Sequence, residues 1–347
     1  MDLPSPDLDA HRAAVARCAD LAVPLGGLGR LAELGCWLAS VQGVCPPRPP
    51  ARPRVVLVAA DHGIAAAGVS AQPAGATRSQ VAAARERTTP GTVLAQVSEA
   101  SVRIVDAGID APDDGPADHR IRRGSGRIDR EDALTAEEAR RALDLGRALA
   151  DEEVDAGTDL LVPGALGVGA TTPASVIVAA LTGAEPVAVV GRGGGLDDAG
   201  WMRKAAAVRD ALRRARPHIR DPHALLRVVG GADLGVLAGL LAQAAARRTP
   251  VLLDGLVVGA AALLADELAP GARAWWRYAQ RSTEPAMALA AERLELVPLV
   301  DLGLRVGDGS GAVAVLPLLR MAARLLTETA TAPGPPTTPA APTAPTA

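Results

Sequence analysis

The sequence contains no phenylalanine, a single tyrosine and a single lysine, Lys204. Because 49% of the residues are nevertheless apolar, the core must be built from alanine, valine and leucine. Such a core favours close packing of helices and strands over an aromatic platform. Nearly all the cations are arginine, and the formal net charge is -3. That charge provides no net attraction to nucleic acid, so we expect no nucleic-acid partner.

Cysteine is scarce as well, with only Cys18, Cys36 and Cys45 in the chain. An odd number of cysteines does not fit a disulfide scaffold, and these three lack the closely spaced pairs of a zinc site. A reducing compartment is the simplest interpretation, and we therefore expect a cytoplasmic location.

Long hydrophobic runs are missing. Residues 1–7 have neither a basic start nor an apolar segment, so the sequence predicts no secretory signal. The most apolar run, residues 251–264, contains Asp254 and is shorter than the ~20 residues needed to cross a bilayer. We interpret this run as buried structure and expect no membrane partner.

Short apolar runs alternate with longer amphipathic stretches, a pattern typical of parallel strands joined by helices. The predicted strands, which together indicate a doubly wound α/β sheet, are 55–59, 102–105, 160–162, 186–190, 226–229 and 250–253. One connecting helix is marked by the capping box of Thr135 and Glu138, which precedes an apolar face. The Pro, Thr and Ala composition of residues 332–347 predicts a disordered tail.

Glycine follows every predicted strand. The segments concerned are 61–63, 106–108, 163–164, 191–195, 230–231 and 254–255. In an open parallel sheet, ligands bind outside the carboxyl ends of the strands, where glycine lets a backbone approach the ligand closely. The six loops together predict a binding crevice. For any single loop, the alternative is a glycine that only makes the turn.

Common nucleotide motifs do not fit these loops. A dinucleotide motif in Gly191–Gly195 would need glycine at position 196 or 198. A P-loop would need glycine at the required spacing before Lys204, which is instead preceded by Arg203. Asp61 and His62 could suggest a metal site, but the other histidines share no ligand spacing with them. We expect neither a cofactor nor a metal.

The sequence is better suited to binding a phosphate group. The glycine-rich segment 164–173 leads into an apolar helix over 174–181, and the free N–H groups at such a helix start suit an anion. The hydroxyls of Thr171 and Thr172 can add donors, and Lys204 can supply the charge. The alternative for Lys204 is a solvated surface lysine.

Five longer segments form an ordered set of motifs along the chain. They are AADHGIAAAGVSAQP (59–73), DLLVPGALGVGATTPAS (159–175), VGRGGGLDD (190–198), VVGGADLGVLAGLLAQAAARRTPVLLDG (228–255) and PLVDLGLRVGDGSGAVAVLPLL (298–319). In this order, they resemble the nicotinate-nucleotide:dimethylbenzimidazole phosphoribosyltransferase family. The resemblance extends from about residue 25 to residue 331.

The resemblance implies a Rossmann-like parallel sheet with helices on both faces, in a large domain of residues 26–281. It also implies a small helical domain from residues 1–25 and 282–331, and a homodimer. The implied reaction transfers the phosphoribosyl group of nicotinate mononucleotide to 5,6-dimethylbenzimidazole or a related base. Its products are alpha-ribazole 5'-phosphate and nicotinate, and the reaction belongs to cobalamin biosynthesis.

The resemblance also implies the catalytic residue. The attacking benzimidazole must lose the proton on its second nitrogen, which a carboxylate can take. In the family this base is a glutamate in a loop of the form R-[LV]-G-E-G-[ST]-G, and the matching residue here is Asp308. The alternative is that Asp308 forms an Asx-type turn and satisfies its own loop backbone.

Three departures from the family pattern are visible. Asp308 reaches ~1.5 Å less far than a glutamate. Ala165 and Ala170 stand where the family has glutamate and asparagine, and Gln280 stands where the family's His-x-Ser-x-Glu pattern has histidine. Two alternative functions therefore stay open: the same scaffold acting on a different base, or a catalytically weak protein that binds nucleotides or bases.

Besides Asp308, the predicted site comprises substrate-binding residues from all the motifs. They are Asp61, His62, Ser70, Gly164, Gly167, Gly169, Thr171, Thr172, Gly193, Gly194, Lys204, Gly230, Gly231, Asp254, Ser282, Glu284, Arg305, Gly307 and Gly309.

Overall fold

The computed structural model describes residues 3–73, 75–111 and 119–332. The chain forms two compact units. The large unit contains Met1–Pro6 and Pro50–Pro317, and the small unit contains Asp7–Pro49 and Leu318–Ala347. A small unit built from both ends of the chain agrees with the expected fold class, but its edges differ from 1–25 and 282–331. The predicted tail lies almost entirely outside the described residues.

The large unit is organised around one parallel sheet of five strands in the order β2-β1-β3-β4-β5. The strands are β1 (Pro53–Ala60), β2 (Ser101–Gly108), β3 (Leu160–Leu166), β4 (Val251–Leu253) and β5 (Trp276–Tyr278). All of β3 and β4, and nearly all of β1, are buried, which explains why these strands read as continuous apolar runs. The predicted parallel α/β sheet is therefore confirmed.

Helices surround this sheet and also build the small unit. They are α1 (Leu8–Asp20), α2 (Gly29–Gln42), α3 (Ala76–Arg85), α4 (Pro90–Val97), α5 (Ala136–Asp155), α6 (Thr171–Thr182), α7 (Asp198–Ala215), α8 (Pro222–Val229), α9 (Ala232–Ala246), α10 (Gly255–Leu268), α11 (Pro285–Arg293) and α12 (Ser310–Glu328). Short 3-10 helices cover Gly63–Ala67, Pro186–Val189, Arg216–His218 and Ala272–Trp275.

Two of the six predicted strands are wrong. Residues 186–189 form a 3-10 helix with Pro186 in its first turn, and residues 226–229 are the end of α8. Asp221 caps α8 by accepting hydrogen bonds from two backbone N–H groups, and a proline occupies its first turn. These start signals outweigh the apolar run that suggested a strand.

The predicted capping box of α5 is confirmed, with reciprocal hydrogen bonds between Thr135 and Glu138. The apolar face of this helix packs closely against α9. A Cβ atom at Gly146 would lie 2.7 Å from the backbone nitrogen of Leu240, and one at Gly239 would lie 2.9 Å from the carbonyl carbon of Leu143. Glycine is thus required at both positions by the approach of the two helices.

The three cysteines come together in the small unit. Its buried cluster and the half-buried residues packed against it are Ala14, Cys36, Ala39, Leu326, Cys18 and Cys45. All three thiols are free, and the Sγ atoms of Cys18 and Cys36 are 3.9 Å apart. Burial raises the pKa of the Cys36 thiol to about 12, with Cys18 adding to the effect.

Helix α12 is long and apolar enough to cross a membrane on length and composition alone. Within its most apolar window, however, 56% is buried inside the protein, as expected for a core helix.

Candidate active site

A cleft of about 320 Å³ lies where β3 and β4 end and α6 and α10 begin. Its lining comes from several separate segments of the large unit. They contribute Ser70, Gln72, Gln80, Thr89, Pro90, Ala165, Leu166, Gly167, Ala170, Thr171, Gly193, Gly194, Gly255, Leu256, Val257, Gln280, Ser282, Glu284, Leu304, Arg305, Val306, Gly307 and Asp308. This is the edge of the sheet at which the glycine loops predicted a crevice.

One wall of the cleft is the segment 304–308, and its glycines have a specific structural reason. Gly307 and Gly309 have φ angles of 77° and 82°, a left-handed conformation that residues with a side chain rarely adopt. The backbone N–H of Ala165 donates to the Gly307 carbonyl at 3.0 Å, which attaches the segment to the end of β3. The glycines therefore allow a tight loop to lie directly against the sheet.

Asp308 occupies the middle of this loop and lines the cleft while being only 1% exposed. Its Oδ1 accepts from the N–H of Ser310 at 3.1 Å, and its Oδ2 accepts from the N–H of Gly91 at 2.8 Å. The first bond is the Asx-type contact of the alternative interpretation, and Asp308 also lines the cleft. A carboxylate has about four acceptor positions, so these two bonds do not use all of them.

Two glycines give Asp308 its place. A Cβ atom at Gly164 would lie 2.7 Å from the backbone carbon of Asp308, and one at Gly91 would lie 2.9 Å from its carboxylate carbon. The loop therefore packs against β3 and α4 as closely as two backbones allow. An aspartate, which is shorter than the family's glutamate, occupies this closely packed position.

Asp254 lies beneath the same wall, at the end of β4. Its Oδ2 accepts from the N–H of Gly311 at 2.8 Å, and its Oδ1 accepts from Nε2 of Gln280 at 3.3 Å. Burial raises the pKa of Asp254 to about 6, and the nearby charge of Asp308 adds to the effect against the hydrogen bonds that lower it. Asp254 supports the cleft wall and does not line the cleft.

A cation is held behind another part of the cleft. Lys204 on α7 is fully buried, and its Nζ donates to Oγ1 of Thr171 at 2.9 Å. Burial lowers the pKa of Lys204, and the charge of Glu284 opposes this. Because the Thr171 hydroxyl accepts from Lys204, its own hydrogen is free to point to an anion in the cleft. The alternative of a solvated surface lysine is therefore wrong.

Glu284 links this region to the glycine loop at 191–195. Its Oε1 accepts from the N–H of Gly193 at 2.8 Å, and its carboxylate packs where a Cβ atom at Gly191 would otherwise be. Together with Lys204, it places opposite charges behind Thr171 and Gly193.

The predicted site residues fall into three groups. Those that line the cleft are Ser70, Gly167, Thr171, Gly193, Gly194, Ser282, Glu284, Arg305, Gly307 and Asp308. Those in direct contact with lining residues or their loops are Gly164, Gly169, Thr172, Lys204, Asp254 and Gly309. The remaining four, Asp61, His62, Gly230 and Gly231, do not line the cleft, although His62 contacts the loop 167–170 from behind through Val168.

His62 and Asp61 have structural partners instead of a face on the cleft. The ring nitrogen Nε2 of His62 lies 3.1 Å from Oδ2 of Asp233, and both side chains are buried. Burial alone would lower the pKa of His62, but Asp233 reverses the direction and the pKa is raised. Asp61 accepts hydrogen bonds from Thr77 and from the N–H of Asp110.

Gly230 and Gly231 were expected at a strand end, but they connect α8 to α9. A Cβ atom at Gly231 would lie 2.5 Å from the His62 ring, and one at Gly230 would lie 2.6 Å from Leu226. Because these two glycines have no side chains, the chain can pack closely beside the His62–Asp233 pair.

Sequence reasoning missed part of the cleft. Thr89, Pro90 and Gly91 begin α4, and the Gly91 N–H binds the carboxylate of Asp308. Threonine followed by proline marks a helix start, so the beginning of α4 was predictable, but its contact with Asp308 was not. Gln280 was noted only as a departure from a pattern, although it lies in the lining.

Within the described ranges, no three His, Cys, Asp or Glu side chains are grouped so that they could hold a metal ion.

A parallel α/β sheet that carries a buried carboxylate and a Lys–Thr pair in one cleft defines an α/β protein with a site suited to an anionic ligand. The model of a family described as phosphoribosyltransferase matches residues 3–334. A nicotinate-nucleotide–dimethylbenzimidazole phosphoribosyltransferase from Mycolicibacterium paratuberculosis is 56% identical over 94% of each chain. The protein of that name from Mycobacterium tuberculosis is 53% identical over 94% of this chain and 91% of its own.

Solved structures agree with these matches. The crystal structure of CobT from Thermus thermophilus superposes with a TM-score of 0.89 at 39% identity, covering 93% of this chain and 97% of that one. The chain thus belongs to the nicotinate-nucleotide–dimethylbenzimidazole phosphoribosyltransferase family.

Proposed function

We propose that the protein transfers the phosphoribosyl group of nicotinate mononucleotide to 5,6-dimethylbenzimidazole or a closely related base. The bond between C1′ and the pyridinium nitrogen breaks, and nicotinate leaves with the bonding electrons. A new bond forms between C1′ and one benzimidazole nitrogen, and the proton on the other nitrogen is released. The products are alpha-ribazole 5'-phosphate and nicotinate.

Thr171, Gly193 and Gly194 bind the phosphate in this proposal. Their support is the buried Lys204 behind them, whose Nζ donates to the Thr171 hydroxyl at 2.9 Å. In the first turn of α6 the N–H groups of Thr172 and Ala174 donate to the carbonyls of Gly169 and Ala170, and Pro173 has no N–H. What the start of α6 adds is therefore the positive end of the helix dipole, which favours negative charge.

Asp308 accepts the proton from the incoming base. The departing pyridinium is already activated, so a strong acid is not needed on the nicotinate side. On the benzimidazole side, a positioned carboxylate contributes through general base catalysis. The place of Asp308 in the lining supports this role, and its two backbone hydrogen bonds do not use all the acceptor positions of a carboxylate.

The observation that carries the proposal is that one cleft is lined both by Asp308 and by the Thr171–Gly193 region backed by Lys204. A second candidate is the same transfer to a different base, such as a purine or a phenolic. Ala165 and Ala170 favour it, because both line the cleft where the family pattern has glutamate and asparagine.

The test is to incubate the purified protein with nicotinate mononucleotide and a panel of bases, and to follow nicotinate release. Release that depends on benzimidazoles supports the leading proposal, and release with only purines or phenolics supports the second candidate. Binding of the nucleotide without release under any condition contradicts both and leaves a binding protein.

A homodimer in the cytoplasm, without nucleic-acid or membrane partners, completes the proposal. Light scattering should then give about twice the 35.1 kDa chain mass. A mass of one chain would contradict the dimer.

A further inference from the structure

Gln280 is a buried cleft-lining residue whose side-chain amide bonds two separate segments of the chain. It follows β5, is 2% exposed, and uses a single amide nitrogen to reach two elements. Nε2 donates to the carbonyl of Leu304 at 3.1 Å and to Oδ1 of Asp254 at 3.3 Å. The side chain therefore connects the end of β4 to the start of the 304–308 wall.

Asp254 continues the connection to the far side of the same wall. Its second oxygen, Oδ2, accepts from the N–H of Gly311 at 2.8 Å. A Cβ atom at Gly311 would lie 2.5 Å from Oδ1 of Asp254, so this part of the chain packs directly on the Gln280–Asp254 pair. The pair thus holds the chain on both sides of Asp308, at residue 304 and at residue 311.

We propose that Gln280 is a positioning residue, which acts through Leu304 and Asp254 to hold the Asp308 carboxylate in its orientation toward the base. The inference rests on the proposed function, because the orientation of Asp308 matters only if it accepts a proton. Gln280 replaces the histidine of the family pattern, so the role belongs to this chain's own amide.

The arrangement favours an ionised Asp254. Its oxygens accept from Gln280, Gly311 and Ala312, and protonation removes the negative charge that strengthens these hydrogen bonds. The titratable groups that face Asp254 are Asp308 from the cleft wall and Tyr278 from β5, whose own pKa is raised by burial. Removal of the Gln280 amide takes away a hydrogen bond that lowers the pKa of Asp254.

The experiment compares Gln280→Leu with the wild-type protein in nicotinate release across pH 5 to 9. We expect kcat to fall by about 10- to 100-fold, since a misplacement of about 1 Å can cost that much. KM for nicotinate mononucleotide should stay within about twofold. The acid limb of the kcat profile should move to higher pH than in the wild type, because the lost hydrogen bond lowers the pKa of Asp254.

Gln243→Leu is the matched control. Gln243 also donates its amide to an aspartate, Asp151, at 2.9 Å, but it lies on α9 away from the cleft. We expect its kcat and pH profile to match the wild type. Gln280→Glu is the second variant: it keeps the side-chain volume and places a like charge beside Asp254, so the acid limb should move further.

If Gln280→Leu has an unchanged kcat and an unchanged acid limb, the inference about Gln280 is overturned. Nicotinate release by the wild type would still support the proposed function in that case. If circular dichroism shows that Gln280→Leu does not fold, the kcat profile of Gln280→Glu is used instead. A shift of its acid limb supports the positioning role, and an unshifted limb overturns it. A wild type that releases no nicotinate contradicts the proposed function itself.

Discussion

Asp308 illustrates how one residue can satisfy a loop and still face a cleft. Each of its oxygens accepts one backbone N–H, from Ser310 in its own loop and from Gly91 at the start of α4. The two donors fix the plane of the carboxylate without using all of its acceptor positions. The turn role and the base role are therefore compatible in the same side chain.

Asp254 leads to a prediction about stability and pH. Burial raises its pKa from 3.8 to about 6, so the folded protein binds this proton more tightly than the unfolded chain. The contribution to the free energy of unfolding is complete below pH 3.8 and is lost as pH rises to about 6. The loss amounts to about 3 kcal/mol.

In Asp254→Asn this titration is absent. The variant's free energy of unfolding, relative to the wild type, should therefore increase between about pH 4 and pH 6 and stay level above. Urea unfolding at several pH values measures the difference. Parallel curves for the two proteins across this range would contradict the assignment.

Lys204 leads to a prediction about nucleotide affinity. Lys204→Met keeps the length of the side chain but removes the charge and the donor to Thr171. A charge-assisted hydrogen bond contributes about 1.5–3 kcal/mol, so we expect nicotinate mononucleotide to bind about 10- to 100-fold more weakly. Calorimetry measures the affinity for nicotinate mononucleotide, and Arg141→Ala, at an exposed position, is the control. Equal affinity of Lys204→Met and the wild type would show that Lys204 does not contribute to phosphate binding.

At the scale of elements, α5 and α9 are held together by glycines that face backbone atoms. In an exposed helix, Gly→Ala would stabilise by about 1 kcal/mol. At Gly146 the added carbon would meet the backbone of Val236 and Leu240, which cannot rotate away. Overpacking costs about 1–3 kcal/mol, so Gly146→Ala should lower the free energy of unfolding.

Denaturant unfolding measures this effect. Arg141→Ala, on the exposed face of the same helix, should change the free energy of unfolding by no more than about 0.5 kcal/mol. A Gly146→Ala protein as stable as the wild type would mean that the two helices can separate without cost.

The accuracy of the sequence-based prediction varied from element to element for physical reasons. Buried strands such as β1 and β3 read directly as Val and Leu runs, because both of their faces are covered. The run at 226–229 has the same composition but belongs to a helix, since Asp221 and Pro222 determine its start. β5 was missed because Arg277 interrupts it, so its three residues form no apolar run like that of β4.

The site was predictable to the extent that chain-local signals mark it. Gly307 beside Asp308 and Thr171 at the start of α6 are local signals, and both line the cleft. Gly91 and Gln280 reach Asp308 or its loop only through tertiary contacts, and no spacing in the sequence indicates them. His62 was misplaced because its partner Asp233 is distant in sequence.

At the scale of the whole molecule, the large unit alone supplies every residue of the cleft. Binding of the phosphorylated substrate and proton acceptance are assigned to different elements: α6 and α7 for the phosphate, and the loop before α12 for the base. A variant that loses proton acceptance should therefore still bind the phosphorylated substrate measurably.

The most direct test is nicotinate release by Asp308→Asn in the presence of 5,6-dimethylbenzimidazole, alongside the wild type and Asp308→Glu. General base catalysis contributes about 10²–10⁴-fold, so the account predicts that Asn lowers kcat by at least about 100-fold while the affinity for nicotinate mononucleotide persists. Asp308→Glu, which restores the family's residue, should keep turnover within about tenfold of the wild type. An Asp308→Asn protein that turns over at the wild-type rate would contradict the central claim.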